Sequence, residues 1–176
     1  MTNLALASNE KGPMSSKNLS YTITNKGSVV ELKTIIPKAI RENAADFLNP
    51  PIKNIGYKGI DKTSQMIRKW FDRSKNTKND LELAASLMEG GGTGGALFRN
   101  LYRDFLGESL NIVPSKELAS GHKAYTEIAP LWTRVSGLIT EGGKTSDQKY
   151  LDEASDILKD ISRQEKEAME ILLTVA

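Results

Sequence analysis

Along most of the chain, apolar residues return every third or fourth position, the period of a helix with one buried face. Ile36, Ile40, Ala44 and Phe47 form the first such series. Pro37 stands where a first helical residue is expected, and Asn49-Pro50-Pro51 ends the helix by removing donors and fixing φ. After a loop over residues 52–59, Ile60, Ile67, Trp70 and Phe71 define the next apolar face. Asn79 is expected to cap a helix over 80–89 carrying Leu83, Ala84, Leu87 and Met88 on one side. Leu97, Phe98, Leu101, Tyr102, Phe105 and Leu106 repeat over 96–111, with Gly107 inside the pattern. A mid-helix glycine costs about 1 kcal/mol against Ala, so close packing is expected there.

Pro114-Ser115 opens a further helix with Leu118, Tyr125, Ile128, Ala129, Trp132, Val135 and Ile139 on its buried face. Pro130 is expected to kink it and Gly142-Gly143 to close it. Ser146 is expected to cap a long last helix with Leu151, Ala154, Leu158, Ile161, Ala168 and Leu172 at three-four spacing.

A different period marks the front of the chain. Residues 20–24 and 28–33 are β-branched and aromatic, and Asn25-Lys26-Gly27 between them supplies a turn. The expected fold is therefore mainly α, about six helices with a short N-terminal β-hairpin. Residues 1–17 read as a loose tail, 18–36 as the hairpin and 37–176 as a helical domain. Two strands alone are marginal in water. The ribbon should either pack on the helices or complete a sheet supplied by another chain.

Composition narrows the chemistry. None of the 176 residues is a cysteine, which removes thiolate metal sites, iron–sulfur clusters and a cysteine nucleophile from this chain. A balance of 24 basic against 22 acidic side chains gives no field to hold nucleic acid or an anionic membrane. No apolar run approaches the ~18 residues of a membrane span and no targeting segment is visible, so a soluble, cytoplasmic protein is the default.

The glycine run Gly90-Gly91-Gly92-Thr93-Gly94-Gly95 leads straight into a helix, whose start presents unpaired N–H groups and partial positive charge. Gly92, Thr93, Gly94 and Gly95, with Arg99 leaning back and Arg103 one turn on, are candidates to bind an anion. The alternative is a tight interhelical turn. No Lys-Ser/Thr follows the last glycine, so a Walker loop is not indicated. His122, the lone histidine, and Tyr102 are candidate cleft residues, though His122 has no Cys or Gly-x-Ser-x-Gly elbow to serve and no companions at metal-ligand spacing. The aromatic positions read as core. Arg163, Glu165, Lys166, Glu167 and Glu170 read as a solvated charged face. No catalytic residue, metal or cofactor is expected within the chain.

Three segments carry a resemblance: residues 54–60, residues 92–108 with the pattern Gly-Thr-Gly-Gly-x-Leu-Phe-Arg-x-x-Tyr-x-x-Phe-Leu, and residues 125–132. Together they resemble the C-terminal, uncharacterised helical domain (of the DUF4872 type) of proteins similar to the butirosin-biosynthesis acyltransferase. The resemblance covers about residue 20 to the C-terminus. It implies a helical part that follows a papain-like half bearing the nucleophilic cysteine and its histidine, with acyl transfer from a carrier-protein thioester to an amine. Those catalytic residues have no counterpart here. Gly92, Thr93, Gly94, Gly95, Phe98, Arg99, Tyr102, Phe105 and Trp132 carry over as fold or cleft residues. The resemblance also makes the two strands the close of a papain-like sheet. Two readings follow: the helical half of an acyltransferase-type assembly, with a Cys-bearing papain-like partner and an acyl carrier protein; or a non-catalytic helical binding module that self-associates through the ribbon edge or binds a partner.

Overall fold

Two long helices joined by a tight turn form the spine on which the other elements pack. In the computed structural model the described residues are 31–176 together with Thr22, Thr24, Gly27 and Val30. The chain divides into two units, residues 1–30 and 31–176, and the second carries every described helix. Among the described residues these are α1 (Leu32–Leu48), α2 (Gly56–Ile67), α3 (Trp70–Arg73), α4 (Thr77–Glu89), α5 (Arg99–Ile112), α6 (Lys116–Thr145) and α7 (Gln148–Leu172). A single 3-10 turn, Ala96–Phe98, precedes α5.

The spine is the α6–α7 hairpin. Ser146 ends α6 in the left-handed conformation, and the Asp147 side chain caps α7 by accepting from the Lys149 N–H at 3.0 Å. Helix α2 and the beginning of the chain's helical part, α1, pack on α7, while α4 and α5 pack on α6. Ile40, Leu106, Leu118, Ile128, Ile139, Leu151, Leu158, Ile161 and Leu172 are almost wholly removed from water. Each contributes about 1.5–3 kcal/mol of transfer free energy. Three buried serines pin helices to the spine through backbone carbonyls. Ser136 donates to Ala85 at 3.0 Å, Ser155 to Ser64 at 2.6 Å and Ser162 to Tyr57 at 2.7 Å. Arg41 on α1 donates to the Val175 carbonyl at 2.6 Å, tying the first helix to the C-terminal end.

The expected hairpin is not supported. Leu32 and Lys33, assigned to its second strand, belong to α1, and Thr22, Thr24, Gly27 and Val30 carry no strand. Glu31 is the N-cap of α1, and Thr34, Ile35 and Ile36, inside the expected hairpin region 18–36, are helical as well. The other hairpin positions and the tail over 1–17 lie outside the described residues. Helix α1 begins one turn before its buried stripe, which starts at Ile36, so Pro37 is its sixth residue rather than its first. The carbonyl that loses its donor there is that of exposed Lys33, free to meet water. Helix α6 likewise runs through Pro130, whose ring and the Thr126 it deprives both face solvent.

Other helix boundaries moved for similar reasons. Asn76, not Asn79, caps α4, accepting from the Asn79 N–H. Gly142 and Gly143 do not close α6. They are buried inside it, where Leu151 and Leu81 press against their backbones. Gly107 fits the close packing expected of it, since the His122 ring lies directly over it.

Candidate functional site

The glycine run ends as a left-handed turn that places three consecutive side chains. Thr93, buried, donates its hydroxyl to the Met88 carbonyl at 2.8 Å and holds the run against the end of α4. Gly94 and Gly95 then take φ of +67° and +81°, which glycine adopts without penalty. The left-handed path continues through Ala96, Leu97 and Phe98 at +50°, +46° and +71°. For residues with a Cβ that conformation costs roughly 1–2 kcal/mol each, so the surroundings must impose it. They do so through polar anchors. Glu89 accepts from the Ala96 N–H at 3.2 Å, Arg99 donates to the Leu97 carbonyl at 2.7 Å, and Asn100 reaches the Gly94 carbonyl at 3.3 Å.

Arg99, the first residue of α5, turns inward to Glu165 on α7. Its Nε lies 2.7 Å from Oε1 and its Nη2 2.9 Å from Oε2, a bidentate pair. Trp132 on α6 donates its indole N–H to the same Oε1 at 2.7 Å, and the guanidinium stacks over the indole at 4.5 Å. Glu165 is 0% exposed. Burial works against the charge on Arg99, but the carboxylate's charge and hydrogen bonds outweigh it and hold the guanidinium pKa above its ordinary value.

Arg99 divides two cavities. The larger, about 580 Å³, is apolar, walled by Ile60, Ile67, Trp70, Leu97, Trp132 and Val135. The smaller, about 210 Å³, is lined by Asn43, Phe47, Phe98, Tyr102, Tyr125 and Met169, with Glu165 behind them. Tyr102 and Tyr125 meet edge to face at 4.7 Å between ring centroids. Burial first, and then the Glu165 charge, push both phenol pKa values upward, so both stay neutral donors at ordinary pH. Among the described residues the Tyr102 hydroxyl finds only the Met169 sulfur, at 3.8 Å. The Tyr125 hydroxyl is buried with no hydrogen-bond partner among the described residues.

The residues expected to bind an anion are thus brought together only in part. Gly92, Thr93, Gly94 and Gly95 form the turn and Arg99 the site beyond it, but the anions they meet are the chain's own carboxylates, Glu89 and Glu165. Arg103 points elsewhere, donating to Asp104 at 2.7 Å and Asn100 at 3.1 Å. Tyr102 lines the smaller cavity. His122 packs over Gly107 and lines neither cavity. A charged groove of about 590 Å³ between α2 and α7 mixes Lys58, Lys159 and Arg163 with Asp61, Asp156 and Asp160. Arg163 is already paired with Asp160 and Glu167, so that groove is a solvated charged face. Among the described residues no three His, Asp or Glu side chains group as metal ligands, and no helix is long and apolar enough to cross a membrane.

The family described as a domain of unknown function, DUF4872, matches residues 2–172. The chain belongs to that family. No curated protein and no solved structure matches it. Within this DUF4872 domain, the residue sequence reasoning missed is Glu165, taken for part of a solvated face. Its signal was present. Leu158, Ile161, Ala168 and Leu172 keep three-four spacing only if position 165 shares their stripe. A carboxylate in a buried stripe calls for a cationic or N–H partner. The DUF4872 match itself assigns no chemistry to the two cavities.

Proposed function

We propose that this DUF4872 domain is the ligand-holding helical half of an acyltransferase-type assembly of the papain-like kind, similar to the butirosin-biosynthesis acyltransferase. A Cys-bearing partner supplies the nucleophile, an acyl carrier protein delivers the thioester, and an amine accepts the acyl group. The observation that carries the reading is the apolar cavity of about 580 Å³. It falls within the ~300–1,000 Å³ range of small-molecule sites, and its wall is mostly hydrocarbon and aromatic, with Asn54, Thr63 and Arg99 as its polar side chains. An acyl chain suits such a space. The Arg99–Glu165 pair at its inner wall is internally neutralised, so it bounds the cavity without demanding a charged ligand. The resemblance of residues 54–60, 92–108 and 125–132 supplies the acyltransferase part. The lack of any cysteine in the sequence supports a nucleophile from elsewhere, and a cytoplasmic location belongs to the same reading.

Combining the full chain with a Cys-containing papain-like partner, an acyl-carrier thioester and an amine tests it. Amide product that requires both chains is expected. It should fall when Ala84, a partly exposed residue on the cavity wall, is replaced by Phe. No complex and no product overturns the reading.

A second reading, a non-catalytic module that binds a partner, is favoured by one feature. Phe98 and Leu101 are each 53% exposed and Phe105 37%, on one side of the turn and α5. Self-association through a ribbon edge is withdrawn with the hairpin. Sedimentation of the chain with and without the Cys-bearing partner separates the two readings.

A further inference from the structure

We infer that the cavity of about 210 Å³ behind Phe98 is a second binding site, for a small neutral molecule bearing a hydroxyl on a compact apolar body. Native interiors rarely leave a buried donor without an acceptor, yet Tyr125, 1% exposed and part of the wall of this cavity, does so. An acceptor faces the same space. A carboxylate offers about four lone-pair directions. Arg99 and Trp132 use two on Glu165 Oε1, and Arg99 uses one on Oε2. One direction at Oε2 therefore remains. A ligand hydroxyl can accept from Tyr125 and donate to Oε2, completing both groups at once.

Charge sets the class. Glu165 is already neutralised by Arg99, so an added cation would lie beside the guanidinium and an added anion beside the carboxylate, each desolvated and uncompensated. A neutral ligand meets neither penalty. Phe47, Phe98 and Met169 supply walls for its apolar part. The Tyr125 hydroxyl is sealed from solvent, so one wall must yield for an oxygen to reach it. Phe98, 53% exposed, is the apolar wall side chain with solvent beside it into which to rotate, its backbone staying on the anchored turn. This site stands whether or not the larger cavity holds an acyl chain.

Phenol is the probe, with benzene as the control lacking the hydroxyl. In the full chain labelled at methionine methyl groups, phenol should shift the Met169 resonance saturably and bind more tightly than benzene. Tyr125→Phe should weaken phenol about two- to twelvefold, the equivalent of the ~0.5–1.5 kcal/mol of one hydrogen bond, and leave benzene unchanged. Asn43→Trp, at an exposed position on the cavity wall, should block phenol while leaving the melting temperature in place. Equal phenol affinity in wild type and Tyr125→Phe overturns the proposal, since the Tyr125 hydroxyl would then make no contact with the ligand oxygen. A Met169 resonance unmoved by saturating phenol overturns it as well.

Discussion

Replacing Glu165 by Leu tests the interior electrostatics most directly. The carboxylate is fully buried and accepts three hydrogen bonds, two from Arg99 and one from Trp132. Leucine fills similar space and accepts none. Arg99 then keeps its charge with only 18% of its side chain exposed. Removing one member of a buried ion pair costs about 3–5 kcal/mol. The lost indole bond falls within that figure, because both losses run through the same carboxylate. At roughly 2–4 °C per kcal/mol for a domain of this size, the melting temperature should drop by about 6–20 °C. Arg99→Met strands the carboxylate instead and should cost about as much. The double variant removes both charges and leaves the buried indole donor unpaired, at about 1–3 kcal/mol. The Leu97 carbonyl bond is lost from it and from Arg99→Met alike, so that loss cancels in the cycle. It should therefore be more stable than either single variant, with a coupling of at least about 3 kcal/mol. Equilibrium urea unfolding of the four proteins measures the cycle. Losses that add to within about 0.5 kcal/mol would refute the reasoning and make the pair a surface-like contact.

Three further outcomes follow from the same structure. Tyr125→Phe should raise the melting temperature, because an unpartnered buried hydroxyl costs about 1–3 kcal/mol, and a thermal scan that shows a decrease would reveal a bond the structure lacks. Tyr102 and Tyr125 hold their protons above the ordinary phenol pKa, so above about pH 10 the unfolded chain releases protons first and the folded state binds more. Stability is then full below that pH and lost as pH rises through it; the urea midpoint should fall there, and fall less in the Tyr102→Phe, Tyr125→Phe double variant. Gly56→Ala should cost about 2–5 kcal/mol by chemical unfolding, since φ is +62° and a Cβ would collide with the Phe47 carbonyl oxygen.

The long-period features were legible in the chain. The apolar stripes of α6 and α7 mark both as helices in the sequence, and Ser115 caps α6 as its place after Pro114 suggests, accepting from the Leu118 N–H at 3.0 Å. Reading failed where tertiary packing overrides local preference. Leu32 and Lys33 follow β-branched neighbours, but the helical stripe through Ile36, Ile40 and Ala44 gains more by burial than the strand propensity offers. Gly142-Gly143 looks like a helix stop. Its missing side chains instead admit Leu151 and Leu81 at close range. Nothing local announces that Ala96, Leu97 and Phe98 will follow Gly94 and Gly95 into left-handed backbone, because that path is held by Glu89, Arg99 and Asn100. Arg99 was singled out to reach a bound anion, but its pairing with Glu165 was not legible, because that carboxylate lies 66 residues away on another helix.

The chain's two tryptophans, Trp70 and Trp132, both stand on the wall of the larger cavity. All of the protein's indole emission therefore originates beside that one space, and one of the two fluorophores is clamped between a guanidinium and a carboxylate. A molecule that fills the cavity comes to lie against a wall that both rings share. The protein thus carries its own optical gauge of occupancy, readable without a label and before its natural guest is known.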